Sequence, residues 1–329
     1  MRAFVITGPG QGGIQEVEEP VAEAGQVVVD VERAGVCGTD LEFWSGEMSY
    51  LHTGEAAYPI RIGHEWCGTV SALGPGADRG WLGKRVTGDT MLGCGHCERC
   101  LGGRQHLCAD RFEIGIRNGW PGALAERLPV PEKALLPLPD AVDATLGALV
   151  EPGGNALRAV RAANLAPGER LLVLGPGTIG LLAALIARAQ GAEVHVLGQT
   201  VGFTRSIGLP NAWTAADLPA LRWDAIIDAS NAATLPGVAL DLIEPGRRVV
   251  YIGIAGQPSL VDTRRLVLKD VTAVGILSAS GGLAGTIDLY ASGAVDPRPL
   301  VGATVDLDRA GEVLSGSLRT PAPKIHVRP

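Results

Sequence analysis

A six-residue turn, Gly175-Pro176-Gly177-Thr178-Ile179-Gly180, constrains this chain more than any other segment. It follows a short apolar run, Arg170 to Leu174, and opens an alanine- and leucine-rich stretch that ends near Gln190. G-x-G-x-x-G between a strand and a helix has a physical reading. The first glycine makes a tight turn, the second lets the backbone approach a pyrophosphate, and the third permits close helix-to-strand packing, with the helix N-terminus facing the anion. With Gly191 to Leu197 as the next strand, the pattern predicts a dinucleotide held at Gly175, Gly177, Thr178, Ile179 and Gly180.

The texture around this turn alternates. A helical stretch from Ala156 to Ala163 precedes it, and buried-strand candidates follow at Ala225 to Asp228, Arg248 to Ile252 and Val271 to Gly275. Such alternation predicts βαβ units and one doubly wound parallel sheet over residues 151–275. Residues 1–150 read differently, as short β-type runs (Val27 to Val31, Thr69 to Leu73, Leu124 to Val130) broken by glycine and proline. A mostly β domain is expected there, with 276–329 packing back onto it.

Composition removes several classes of function. At 46% hydrophobic and 19% charged residues the chain can bury large cores. With 28 basic against 35 acidic residues and no Lys/Arg stripe, nucleic acid is not an expected partner. The start, Met1 to Thr7, lacks the apolar core of an export signal, and no apolar run approaches the ~20 residues needed to cross a bilayer. A cytoplasmic protein without a membrane partner is expected. In that setting, cysteines hold metal more often than they form disulfides.

Four of the six cysteines lie in one run, Cys94, Cys97, Cys100 and Cys108. C-x2-C steps let thiolates converge on one tetrahedral ion, and four such ligands close the shell of a structural zinc. His96 and His106 then read as exposed loop histidines. Two further segments carry metal-competent residues: Gly35-Val36-Cys37-Gly38-Thr39-Asp40 and Gly63-His64-Glu65-Trp66-Cys67-Gly68. Cys67 reads as a core residue, and Trp44, Trp66 and Trp120 as either core or cleft-lining rings.

G-x-C-G-T-D, then G-H-E-x-x-G, the four-cysteine run, Leu149-Val150-Glu151-Pro152 and G-x-G-x-x-G follow one another in an order that resembles the zinc-dependent medium-chain dehydrogenase/reductase family over essentially the whole chain. The resemblance implies a GroES-like catalytic domain beside a Rossmann domain. It implies a catalytic zinc on Cys37, His64 and Glu65, with Glu151 as a direct or water-bridged ligand, and a second, structural zinc. Thr39 matches the family hydroxyl that bonds the substrate oxygen and starts a proton relay. Glu42 stands where many alcohol and polyol members carry histidine and the glucose and aldose dehydrogenases carry glutamate.

A secondary hydroxyl of a polyol, sugar or cyclitol is therefore the expected substrate. The alternatives are a simple or amino-alcohol dehydrogenase and a non-catalytic NADPH-binding protein. After the second nucleotide strand come Gly198, Gln199, Thr200 and Arg205, with no acidic residue to accept the ribose hydroxyls, so NADP is expected over NAD. The connection from there to Trp223 is short and leaves little room for the helix that usually buttresses the adenosine pocket. Gly253 is expected near the nicotinamide half. The family also implies a homodimer or homotetramer built through the nucleotide domain.

Overall fold

Beyond Pro152 the alternating segments form one six-stranded sheet in a computed structural model that describes all 329 residues. Its strands run, across the sheet, Ala212–Trp213, Glu193–Leu197, Arg170–Leu174, Trp223–Asp228, Ile243–Tyr251 and Thr272–Gly275, every neighbouring pair parallel. Sequence order reverses at Arg170–Leu174. That switch point, beside Gly175, is where ligands bind in open parallel sheets. Leu171 to Leu174 are all fully buried, as expected for a strand covered on both faces. The helix Thr178–Ala189 lies against Arg170–Leu174 and Glu193–Leu197. A single helical turn, Gly202–Ser206, is the one helix in the short connection from Leu197 to Trp223. This unit takes in Pro152–Gly285 and Gly293–Leu300, so it continues past its last strand.

The other unit comprises Met1–Glu151, Thr286–Ser292 and Val301–Pro329. Its main sheet has seven strands, with the path Leu135–Pro137, Arg85–Gly88, Glu65–Leu73, Gln26–Gly35, Lys324–Arg328, Val301–Asp306, and Arg127–Pro131 also on Gln26–Gly35. That last strand starts at Arg127 rather than Leu124, because Leu124 spends its backbone groups on Phe4 and Ile62. The core gathers Phe4, Val29, Phe43, Ile62, Trp66, Leu124, Leu128 and Val327. Side chains alternate along Glu65–Leu73, so Trp66 enters this core while Glu65 and Cys67 point to the opposite face.

Candidate functional site

Cys37 follows the strand Gln26–Gly35 by two residues and caps the helix Gly38–Ser45, and Glu65, with His64 just before it, opens the neighbouring strand. Their ligand atoms lie within 4.8 Å of one another. Asp40 ties these segments together. Fully buried, it accepts the backbone N–H of Cys37 at 2.8 Å and that of Gly63 at 3.2 Å, and its Oδ1 lies 3.7 Å from His64 Nδ1. The ring nitrogen Nδ1 is buried and makes no hydrogen bond. Burial works to lower the His64 pKa, but the charges of Asp40, Cys37 and Glu151 outweigh it and hold the ring well above its usual value. Thiolate, imidazole and carboxylate at this spacing fit a zinc ion with an exchangeable position.

Glu65 has a second partner. Lys324 Nζ, from the strand Lys324–Arg328, donates to Glu65 Oε1 at 2.7 Å, to Oε2 at 2.6 Å and to the Val36 carbonyl at 2.8 Å, with both side chains essentially inaccessible. Burial alone would lower the Lys324 pKa; the Glu65 and Cys37 charges reverse this and raise it. Gly35 makes the arrangement sterically possible, since a Cβ there would stand 2.1 Å from Glu65 Oε2. Glu151 stays outside the three-residue cluster while its charge acts on His64. Just before it, the Leu149 carbonyl accepts the Tyr290 hydroxyl at 3.2 Å.

Thr39 and Glu42 sit three residues apart on the helix Gly38–Ser45 and so share one of its faces. Both are half-buried and neither side chain makes a hydrogen bond within the chain. Burial, and then the neighbouring Glu47, raise the Glu42 pKa above the usual 4.5. Asp40, Lys324 and Tyr290 escaped the sequence reading. Asp40 could have been found as the acid at the third helical position, a capping-box signature. A lysine opening an apolar strand was the only hint of Lys324, and Tyr290 had none.

The four cysteines form the second cluster, their sulfurs also within 4.8 Å of one another. Cys94 and Cys100 sulfurs are 3.9 Å apart, Cys97 and Cys108 3.8 Å. Backbone N–H groups of His96 and Cys97 pull the Cys94 thiol down to about 6, so part of the set is poised as thiolate. Gly93 is needed beside it, as a Cβ would sit 2.5 Å from Cys100 Sγ. His96 is exposed as expected, but His106 is buried, because its short helical turn Gln105–Leu107 presses it inward. Cys67 is fully buried and donates to the Ala144 carbonyl at 3.3 Å. Of the tryptophans, Trp66 belongs wholly to the core, and Trp44 packs on Phe4 at 6.3 Å.

At the glycine turn, Gly175 has φ 94°, a conformation that disfavours any side chain, and a Cβ on Gly180 would lie 2.0 Å from Gly175 O. Gly177, at the N-cap of Thr178–Ala189, has nothing within 4 Å of where a Cβ would stand. A tight turn, an open approach and a close packing contact are what a pyrophosphate cradle requires. Gly198 has no room for a side chain, since Pro176 Cγ would be 2.6 Å from its Cβ. Gln199 and Thr200 are exposed. One guanidinium nitrogen of Arg205 donates to the Ala212 carbonyl at 2.7 Å, which ties that side chain to the sheet edge. Gly253 N donates to the Asp228 carbonyl at 3.0 Å, and a Cβ there would collide with Ser230 O.

Residues 23–140 match the alcohol dehydrogenase GroES-like domain family. An L-threonine 3-dehydrogenase of Sinorhizobium medicae is 30% identical over 292 residues, 84% of this chain and 83% of its own length. An alcohol dehydrogenase (rspB) of Escherichia coli CFT073, solved with NADH, superimposes with TM-score 0.91 at 25% identity, covering 100% of this chain and 99% of its own. A Sinorhizobium meliloti 1021 protein described as a zinc-binding dehydrogenase, solved with NADP, gives TM-score 0.89 at 26% identity with the same coverage. No helix is long and apolar enough to cross a membrane.

Proposed function

This chain belongs to the zinc-dependent medium-chain dehydrogenase/reductase family, and on that premise we propose that it transfers hydride between NAD(P) and a secondary hydroxyl of a polyol, sugar or cyclitol. It is an oxidoreductase acting on alcohol groups. The finer reading rests on Glu42, a half-buried carboxylate with no partner in the chain, on the helix that Cys37 caps. Two carboxylate oxygens can accept hydrogen bonds from two vicinal hydroxyls of one substrate.

Zinc on Cys37, His64 and Glu65 would supply Lewis acidity toward the substrate hydroxyl, and a dinucleotide at the Gly175 turn the hydride acceptor. The chain's own residues do the rest. Asp40 fixes the Cys37 and His64 segments relative to each other, and Lys324 aims the Glu65 carboxylate through two hydrogen bonds. The Thr39 hydroxyl accepts the substrate proton and hands on its own, and Glu42, on the same helix face, takes a proton at pH above its raised pKa. A 1,2-amino alcohol is the second reading, favoured by the name of the threonine-specific relative, since Glu42 would equally accept an ammonium group.

A steady-state panel of polyols, aldoses, cyclitols, L-threonine and simple alcohols, with both cofactors, tests this. Glu42→Gln should lower kcat/KM for the best polyhydroxylated substrate by roughly 10²-fold. It should also remove the acid limb of the wild-type profile, where activity rises with pH as Glu42 ionises above 4.5. Turnover of 2-propanol with none of any polyhydroxylated compound sinks the reading. The missing acidic side chain at Gly198 supports NADP, so NADPH should bind at least tenfold more tightly than NADH.

We also infer a homodimer along the outer edge of Thr272–Gly275, supported by exposed Leu260, Val267 and Leu268 in the same unit. Light scattering should report a dimer that Val267→Glu with Leu268→Glu converts to monomer; a wild-type monomer contradicts it.

A further inference from the structure

A groove of about 410 Å³ crosses the first unit, bounded by the strand Ile60–Arg61, the antiparallel hairpin Arg2–Gly8 and Gln11–Glu16, and the turn around Trp120. Neither Cys37, His64, Glu65 nor Glu42 lines it. Its volume falls in the range of small-molecule sites. Val17, Ile60 and Pro121 make apolar walls, and Trp120 adds its ring, because the indole N–H is already donated to the Pro129 carbonyl at 3.0 Å.

Arg61 is the exception in this lining. Half-buried in the groove, its side chain makes no hydrogen bond and has no carboxylate within 4.0 Å. Three other covered arginines of the unit are paired: Arg85 with Glu32 at 3.3 Å, Arg111 with Glu113 at 2.8 Å and Arg117 with Glu55 at 2.6 Å. Burial lowers the Arg61 pKa with no opposing charge. A guanidinium partly removed from water and left without an acceptor is unfavourable, and a planar carboxylate would satisfy its fork with two parallel charge-assisted bonds. Glu18, exposed on the same lining, disfavours ligands with two negative charges.

We propose that this groove is a binding site for a small monocarboxylate with a compact apolar body, its carboxylate on Arg61 and its body against Trp120 and Ile60. The site is independent of the dehydrogenase reading. Calorimetric titration of the full chain with benzoate, and with the uncharged isostere benzamide, tests it. Benzoate should bind at least tenfold more tightly than benzamide, and Arg61→Met should lose that preference while keeping the wild-type thermal midpoint and metal content. Equal binding of the two probes, no saturable benzoate binding, or an Arg61→Met preference equal to wild type overturns the proposal. If Arg61→Met fails to fold, the benzoate-to-benzamide ratio of the wild-type chain decides.

Discussion

The two metal-competent clusters are built on opposite principles. Cys94, Cys97, Cys100 and Cys108 come from one stretch of fifteen residues, with three of the four cysteines partly exposed. Cys37, His64 and Glu65 come from the ends of two adjacent strands, and their fourth determinant, Lys324, lies 259 residues beyond Glu65. The lobe is a local device on short turns. The other cluster exists only because a long-range sheet brings the strands Gln26–Gly35, Glu65–Leu73 and Lys324–Arg328 side by side. Failure in the lobe should therefore be a failure of structure, and failure in the sheet-borne cluster a failure of chemistry.

Exchanging one thiol in each cluster gives the largest expected contrast. Cys37→Ala should lower kcat/KM by about three orders of magnitude or more, with a thermal midpoint close to wild type. Cys100→Ser should do the reverse, lowering the midpoint or the assembly state while the remaining folded fraction keeps its hydride-transfer rate, and metal analysis should fall from about two zinc per chain to one. A stable, fully assembled Cys100→Ser protein lacking only activity would erase the distinction.

Lys324→Met sharpens it. Removing the cation leaves Glu65 buried without its partner, so the unfolding free energy of chelator-treated protein should drop by about 3–5 kcal/mol. Adding zinc should narrow that gap, because the metal gives Glu65 a second cation. Equal denaturation midpoints for variant and wild type without metal would show that Lys324 does not compensate Glu65.

A smaller effect comes from His326, on the same strand. It is fully buried, neither ring nitrogen has a hydrogen-bond partner, and burial, with Lys324 and Arg33 nearby, pushes its pKa down to about 3. The sign follows from linkage. The unfolded chain binds a proton near pH 6.5 and the folded chain only near 3, so stability falls as pH drops through that window. From pH 7 to pH 5 this one residue costs about 2 kcal/mol. His326→Leu, neutral at every pH, should be near wild type at pH 7 and lose about 2 kcal/mol less at pH 5; parallel curves for the two proteins would remove the inference.

Local signals carried much of the fold. Arg170–Leu174, Glu193–Leu197 and the glycine turn were legible because their periods and turn residues are set by neighbours in sequence, and the four-thiol lobe was legible for the same reason. The one-turn helix Gly202–Ser206 follows from a short connection that could be counted. Buried His106 was not legible, since the inward face of a three-residue turn depends on what packs over it.

By itself, then, the sequence determined which residue types could bind metal and nucleotide, and that the glycine turn joins a strand to a helix in a parallel sheet. Only the tertiary structure decided that Lys324 neutralises Glu65, that Asp40 ties the Cys37 segment to the Gly63 segment, that Gly35 must lack a side chain, and that Arg61 stands alone in its groove. The reason is desolvation. A charge's energy depends on which distant groups exclude water from it and which oppose it, and no window of neighbouring residues contains that information.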